Sequence, residues 1–113
     1  MSSQSPEVIV QKQLDAYNAR DIDSFVTCFA PDIKMYELDG NKLICEGREA
    51  FRTIYDNLFS SSPQLNVKLL NRIHKEDVVI DHEYVTGMRE SQPFEAAAIY
   101  KVREGIITTV WFG

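Results

Sequence analysis

The chain has 113 residues, 44% apolar and 26% charged, which suits one hydrophobic core spanning 1–113 and is far too apolar for a disordered chain. Twelve Lys and Arg against 17 Asp and Glu leave a net charge of −5, the wrong sign for a phosphate backbone, so no nucleic-acid partner is expected. No apolar run approaches the roughly 20 residues that cross a bilayer, and the opening MSSQSPE lacks the basic start and apolar stretch of a signal peptide, so a cytoplasmic protein without a membrane partner is expected.

Ser5-Pro6-Glu7 has the order of a helix start: a side-chain cap, a residue with no amide hydrogen to leave unpaired, and a negative charge at the positive end of the dipole. A helix over about 6–19 follows, with Val10, Leu14 and Tyr17 on one face. Asp21 caps a second, short helix in which Ile22, Phe25, Val26 and Phe29 recur at helical spacing, and Pro31 forbids its continuation. Ile33 to Glu37 alternates as a strand, Asp39-Gly40-Asn41 makes a turn, and Lys42 to Cys45 is the return. After Glu46-Gly47, Phe51, Ile54, Tyr55 and Leu58 mark a third helix that ends at the Ser60-Ser61-Ser62-Pro63 loop.

From Leu65 onward the period is close to two. Val67 and Leu69 alternate with polar residues; then Ile80, His82 and Tyr84 share one strand face and Val79, Asp81, Glu83 and Val85 the other. Phe94, Ala96, Ala98, Tyr100 and Val102 alternate next, Glu104-Gly105 turns, and Ile106 to Phe112 closes the chain. Short turns between consecutive strands predict a mainly antiparallel sheet with three helices on one face, an α+β order.

The sequence has no phosphate loop, dinucleotide fingerprint, nucleophile elbow, zinc-protease motif or paired CxxC. His74 and His82 stand eight residues apart across a predicted turn and are poorly placed to share a metal, so neither metal nor other cofactor is expected. Cys28 and Cys45 lie in apolar segments without disulfide spacing and read as reduced packing thiols. What remains is acid–base chemistry or ligand binding by polar groups on apolar faces. Glu37 continues the Ile33 and Met35 face. A carboxylate held among apolar groups keeps its proton more readily, which suits proton transfer near neutral pH; the plainer reading is a strand leaving the core. His82, between Ile80 and Tyr84, reads as a second base or donor, or as a satisfied core histidine. Ala96, Ala97 and Ala98 leave space beside Phe94 and Tyr100, for a pocket or for a helix packed close to the sheet.

The order of elements, with Tyr17-Asn18-Ala19-Arg20-Asp21-Ile22-Asp23, Phe29-Ala30-Pro31-Asp32, Glu46-Gly47-Arg48-Glu49-Ala50-Phe51, Ile99 to Val102 and Val110-Trp111-Phe112, resembles the nuclear transport factor 2-like superfamily. That group includes ketosteroid isomerases and SnoaL-type cyclases. The resemblance implies a curved sheet wrapped around the helices as a cone, a cystatin-like roll with an apolar cavity, and a homodimer through the outer sheet face. Carried over by position, it places a carboxylate base on Glu37. The oxyanion-stabilising tyrosine falls on Gln13 rather than Tyr17, and the buried carboxylic acid of a late strand falls near Ala98. Because one oxyanion donor is worth about 3 kcal/mol in the transition state, losing both argues against steroid isomerisation itself. His82 is the best counterpart to the polar cavity residues of the cyclases, and His82 or Tyr84 would supply the missing donor.

Two readings follow. In the first, a small hydrophobic molecule is bound by Gln13, Tyr17, Met35, Phe51, Tyr55, Tyr84, Phe94, Ala98 and Trp111, and Glu37 and His82 perform cofactor-free isomerase, cyclase or dehydratase chemistry. In the second, the same fold is a non-catalytic ligand-binding or dimerisation module.

Overall fold

A computed structural model describes residues 5–113. Helix α1 (Pro6–Ala19) starts where Ser5 accepts a hydrogen bond from the Glu7 amide and ends at Arg20 in the left-handed conformation; Asp21 then caps α2 (Ile22–Val26). Strand β1 (Phe29–Glu37), a short 3-10 turn at Asp39–Asn41 and strand β2 (Lys42–Glu46) lead into α3 (Arg48–Ser61). Four strands follow: β3 (Asn66–Lys75), β4 (Val78–Thr86), β5 (Phe94–Arg103) and β6 (Ile106–Phe112). The predicted α+β class holds.

All six strands form one curved sheet in the order β2-β1-β6-β5-β4-β3. Every neighbouring pair is antiparallel except β1 with β6, whose parallel pairing brings the first and last strands together inside the sheet. The helices lie on one face, α1 against β3 to β6 and α3 against β1 and β2.

One expectation is corrected at the second helix. Phe29 opens β1 rather than closing α2, and Pro31 lies inside the strand. With no N–H to donate, Pro31 is tolerated because the register of β1 against β6 breaks between Phe29 and Lys34.

The residues that carry the family resemblance hold the corners. Asn18 donates to the Val67 carbonyl at 2.9 Å and accepts from its amide at 2.8 Å, filling the edge of β3 as another strand would. Arg20 donates to the Leu65 carbonyl at 2.6 Å. Gly47, at φ 97°, turns the chain into α3, and the Arg48 guanidinium donates to the Phe29 carbonyl. Gly87 is fixed by space as well as by its φ of 77°: a Cβ there would lie 1.9 Å from the Gln64 carbonyl oxygen. Between helices and sheet sits a continuous aromatic cluster of Tyr17, Phe25, Phe29, Phe51, Tyr55 and Phe59, edge-on and tilted as ring quadrupoles prefer.

Candidate functional site

The concave face of the sheet and the helices enclose a cavity of about 390 Å³. Gln13, Leu14 and Tyr17 of α1 and Tyr55 and Leu58 of α3 form one wall. Val67, Glu83, Val85, Ala96 and Tyr100 of β3 to β5 form the other, with Met88, Phe94, Phe112 and Glu37 completing it.

Alternation decides which acids face inward. On β4 the buried residues are Val79, Asp81, Glu83 and Val85, and their neighbours in register on β5 include Ala98 opposite Asp81 and Ala96 opposite Glu83. Of the three alanines, Ala96 lines the cavity opposite Glu83, whereas Ala98 is buried opposite Asp81.

The two acids have different surroundings. Asp81, fully buried, receives a forked guanidinium from Arg72 of β3, with Nε at 2.7 Å and Nη2 at 2.9 Å, while Arg72 Nη1 reaches Gln11 at 2.9 Å. Glu83 is only 7% exposed, lines the cavity, and has no hydrogen-bond or ion-pair partner among the described residues. Burial, reinforced by the negative charge of Asp81 and opposed by Arg72, pushes its carboxyl up to about 7. It gains and loses its proton where a working acid–base group needs to.

Three tyrosines share the cavity wall with it. Tyr100, 3% exposed, accepts a hydrogen bond at 3.1 Å from Gln13, whose amide also donates to the Val10 carbonyl at 3.0 Å. This leaves the Tyr100 O–H free to donate. Tyr17 has no hydrogen-bond partner among the described residues, and Tyr55 donates only to the Met35 Sδ at 3.7 Å. Burial first, and the nearby Glu83 charge as a further cause, hold all three phenols well above the usual tyrosine range, so they remain neutral donors.

Among the residues singled out from the sequence, Gln13, Tyr17, Tyr55, Phe94 and Glu37 line this cavity. Glu37 lies at the exposed end of β1. Met35, Phe51 and Ala98 are buried in the core but stand behind the wall. The inward placement of His82 and Tyr84 is corrected. They occupy the outer face of β4, where His82 contacts Glu95 at 2.6 Å and Asn71 at 3.2 Å and Tyr84 is 37% exposed. Trp111 is also on the outer face, stacked on Tyr36 with ring centroids 5.7 Å apart and donating to Asn41 at 3.0 Å. The acid that the sequence reading passed over is Glu83; its signal was an alternation bounded by Val79 and Val85 and matched to small residues two strand positions apart on β5.

Comparison with known proteins follows the fold. A protein of cystatin fold from Novosphingobium aromaticivorans superposes with a TM-score of 0.90 at 22% identity, covering 98% of this chain and 99% of that one. An NTF2-like protein from Cytophaga hutchinsonii gives 0.80 at 14% identity over 100% of this chain and 93% of the other. A computationally designed 17-OHP binder gives 0.80 at 17% identity, over 96% and 91%. No curated protein matches in sequence. No helix among the described residues is long and apolar enough to cross a membrane. The family model described as the SnoaL-like domain matches residues 10–110, nearly the whole chain, and the chain belongs to that family.

Proposed function

We propose that this protein binds a small, largely apolar molecule in the cavity and moves a proton on it without a cofactor, as an isomerase, cyclase or dehydratase does. The observation that carries this reading is Glu83, a carboxylate 7% exposed, unpartnered and facing an apolar cavity. Ionised, it takes a proton from a carbon or hydroxyl of the ligand. Protonated, it returns that proton elsewhere on the same molecule. In this reading the O–H groups of Tyr100 and Tyr17, both in the cavity wall, donate to the ligand oxygen on which negative charge develops. Glu37, expected as the base, stands at the exposed rim and serves in entry and positioning. The 17-OHP binder is in keeping with the ligand side of the reading, since a protein of the same fold was designed to bind a small molecule. A homodimer through the outer face, where Leu70, Ile73 and Tyr84 are exposed, belongs to the same proposal.

A panel of enones, steroids, polyketide intermediates and terpenoid epoxides is screened by thermal shift, since a ligand of the folded state must raise its apparent stability. Binding ketones are then held in heavy water, and deuterium uptake at the carbon beside the carbonyl is followed by NMR. Exchange should be accelerated by the wild type and lost by about a hundredfold or more in Glu83→Gln. Equal exchange in both proteins overturns the catalytic reading and leaves a binding module.

A further inference from the structure

Every charged side chain that reaches the cavity wall is a carboxylate. Glu83 stands within it and Glu37 at its rim, and among the described residues no Lys, Arg or His lines it. The cation closest in effect to Glu83 is Arg72, whose guanidinium is already engaged by Asp81 and Gln11. The rest of the wall is apolar or aromatic and includes Tyr17, Tyr55 and Tyr100. An anion entering this space would meet like charge with nothing to neutralise it. A cation would meet carboxylates in a poorly screened setting, in a wall that also carries the aromatic side chains of Tyr17, Tyr55 and Tyr100. The net charge of −5 draws cations toward the protein from a distance.

We propose that the molecule this cavity takes is a lipophilic amine, a protonated or quaternary nitrogen attached to an apolar body, in preference to a neutral or anionic molecule of the same shape. The inference rests on the reading of the cavity as a ligand site with Glu83 as its acid–base group, and adds the charge of the substrate. A positive nitrogen stabilises the ionised form of Glu83, making it a base at neutral pH, and acidifies neighbouring C–H bonds by electron withdrawal.

The groups facing Glu83 from the packed elements are Tyr17 of α1, Tyr55 of α3, Arg72 of β3, Asp81 of β4 and Tyr100 of β5, with Glu37 of β1 at the rim. The phenols keep their protons at neutral pH and Arg72 keeps its charge against Asp81, so cation affinity should follow the ionisation of Glu83. Calorimetry with the full chain compares benzyltrimethylammonium, its uncharged carbon counterpart neopentylbenzene, and phenylmethanesulfonate. At about pH 8.5 the cation should bind about tenfold or more tighter than the neutral compound, and the ratio should shrink at about pH 5.5 as Glu83 takes up its proton. Glu83→Gln should abolish that pH dependence, and Glu37→Gln should narrow the ratio by a smaller factor. Neutral binding equal to that of the cation at the higher pH, or tightest binding by the sulfonate, overturns the amine inference and leaves the cavity reading standing. If none of the three binds, the cavity reading falls and the inference with it.

Discussion

Asp81 and Glu83 lie two positions apart on the same face of β4, each opposite an alanine of β5, yet their surroundings differ. Arg72 neutralises Asp81 with two short hydrogen bonds and is itself held by Gln11, making a closed polar unit beneath α1. Glu83 faces the cavity with no such partner. A folded chain can carry a buried charge when it is paired and hydrogen-bonded; an unpaired one shifts its proton affinity and costs stability. The first acid therefore reads as architecture. The second is a local cost, which the proposed function accounts for as the acid–base group of a ligand site.

The largest way to break this contrast is Arg72→Met, which leaves Asp81 buried without its counter-charge and should cost about 3 to 5 kcal/mol in chemical denaturation. Glu83→Gln should act in the other direction. The folded-state proton affinity of Glu83 is raised from 4.5 to about 7, so between these values the folded chain binds more protons than the unfolded one. Its contribution is most favourable below about 4.5, is lost as pH rises through about 7, and is level above that. The variant should therefore be more stable than wild type by about 3 kcal/mol near pH 8, with the gain gone near pH 4.5. Denaturation midpoints at both pH values check the sign, and a gain of the same size at both would contradict it.

Tyr100→Phe removes a cavity donor and the acceptor for Gln13. It should slow deuterium exchange by about tenfold, or about 1.4 kcal/mol of barrier, with little change in ligand affinity. Smallest of all is His82→Gln. Its partner Glu95 is 63% exposed in its side chain, and stability should stay within about 0.5 kcal/mol with exchange unchanged. A large loss of exchange in that variant would return His82 to the site.

The predicted elements lie close to the observed ones because their signals are local. Ser5-Pro6, Asp21, Gly47 and Gly105 act within a few residues of where they stand, and the Tyr17 to Asp21 segment carries its partners, Asn18 to Val67 and Arg20 to Leu65, as a unit. The inner face of β4 was not legible. Ile80, His82 and Tyr84 form as plausible an inward stripe as Val79, Asp81, Glu83 and Val85, and strand alternation is blind to which set is turned in. Pairing across strands breaks the tie, through Arg72 on β3 and Ala96 and Ala98 on β5. Lining was equally hard to separate from burial. Met35 and Phe51 were expected to touch a ligand because they are apolar and share helix or strand faces with residues that do, but they are covered by neighbouring side chains. The predicted β1 falls short of the observed strand for another reason: proline signals a break by its missing amide, and only the irregular pairing with β6 shows the strand passing through it.

The central claim is that Glu83 is an unpaired carboxyl held ready for proton transfer. It is tested most directly by labelling glutamate side-chain carbonyl carbons with 13C and following their chemical shifts from about pH 3 to about pH 9, with Glu83→Gln to assign the signal. A titration midpoint for Glu83 near 7 is the predicted result. A midpoint in the ordinary glutamate range, near 4.5, would contradict it and leave the cavity without its acid–base group.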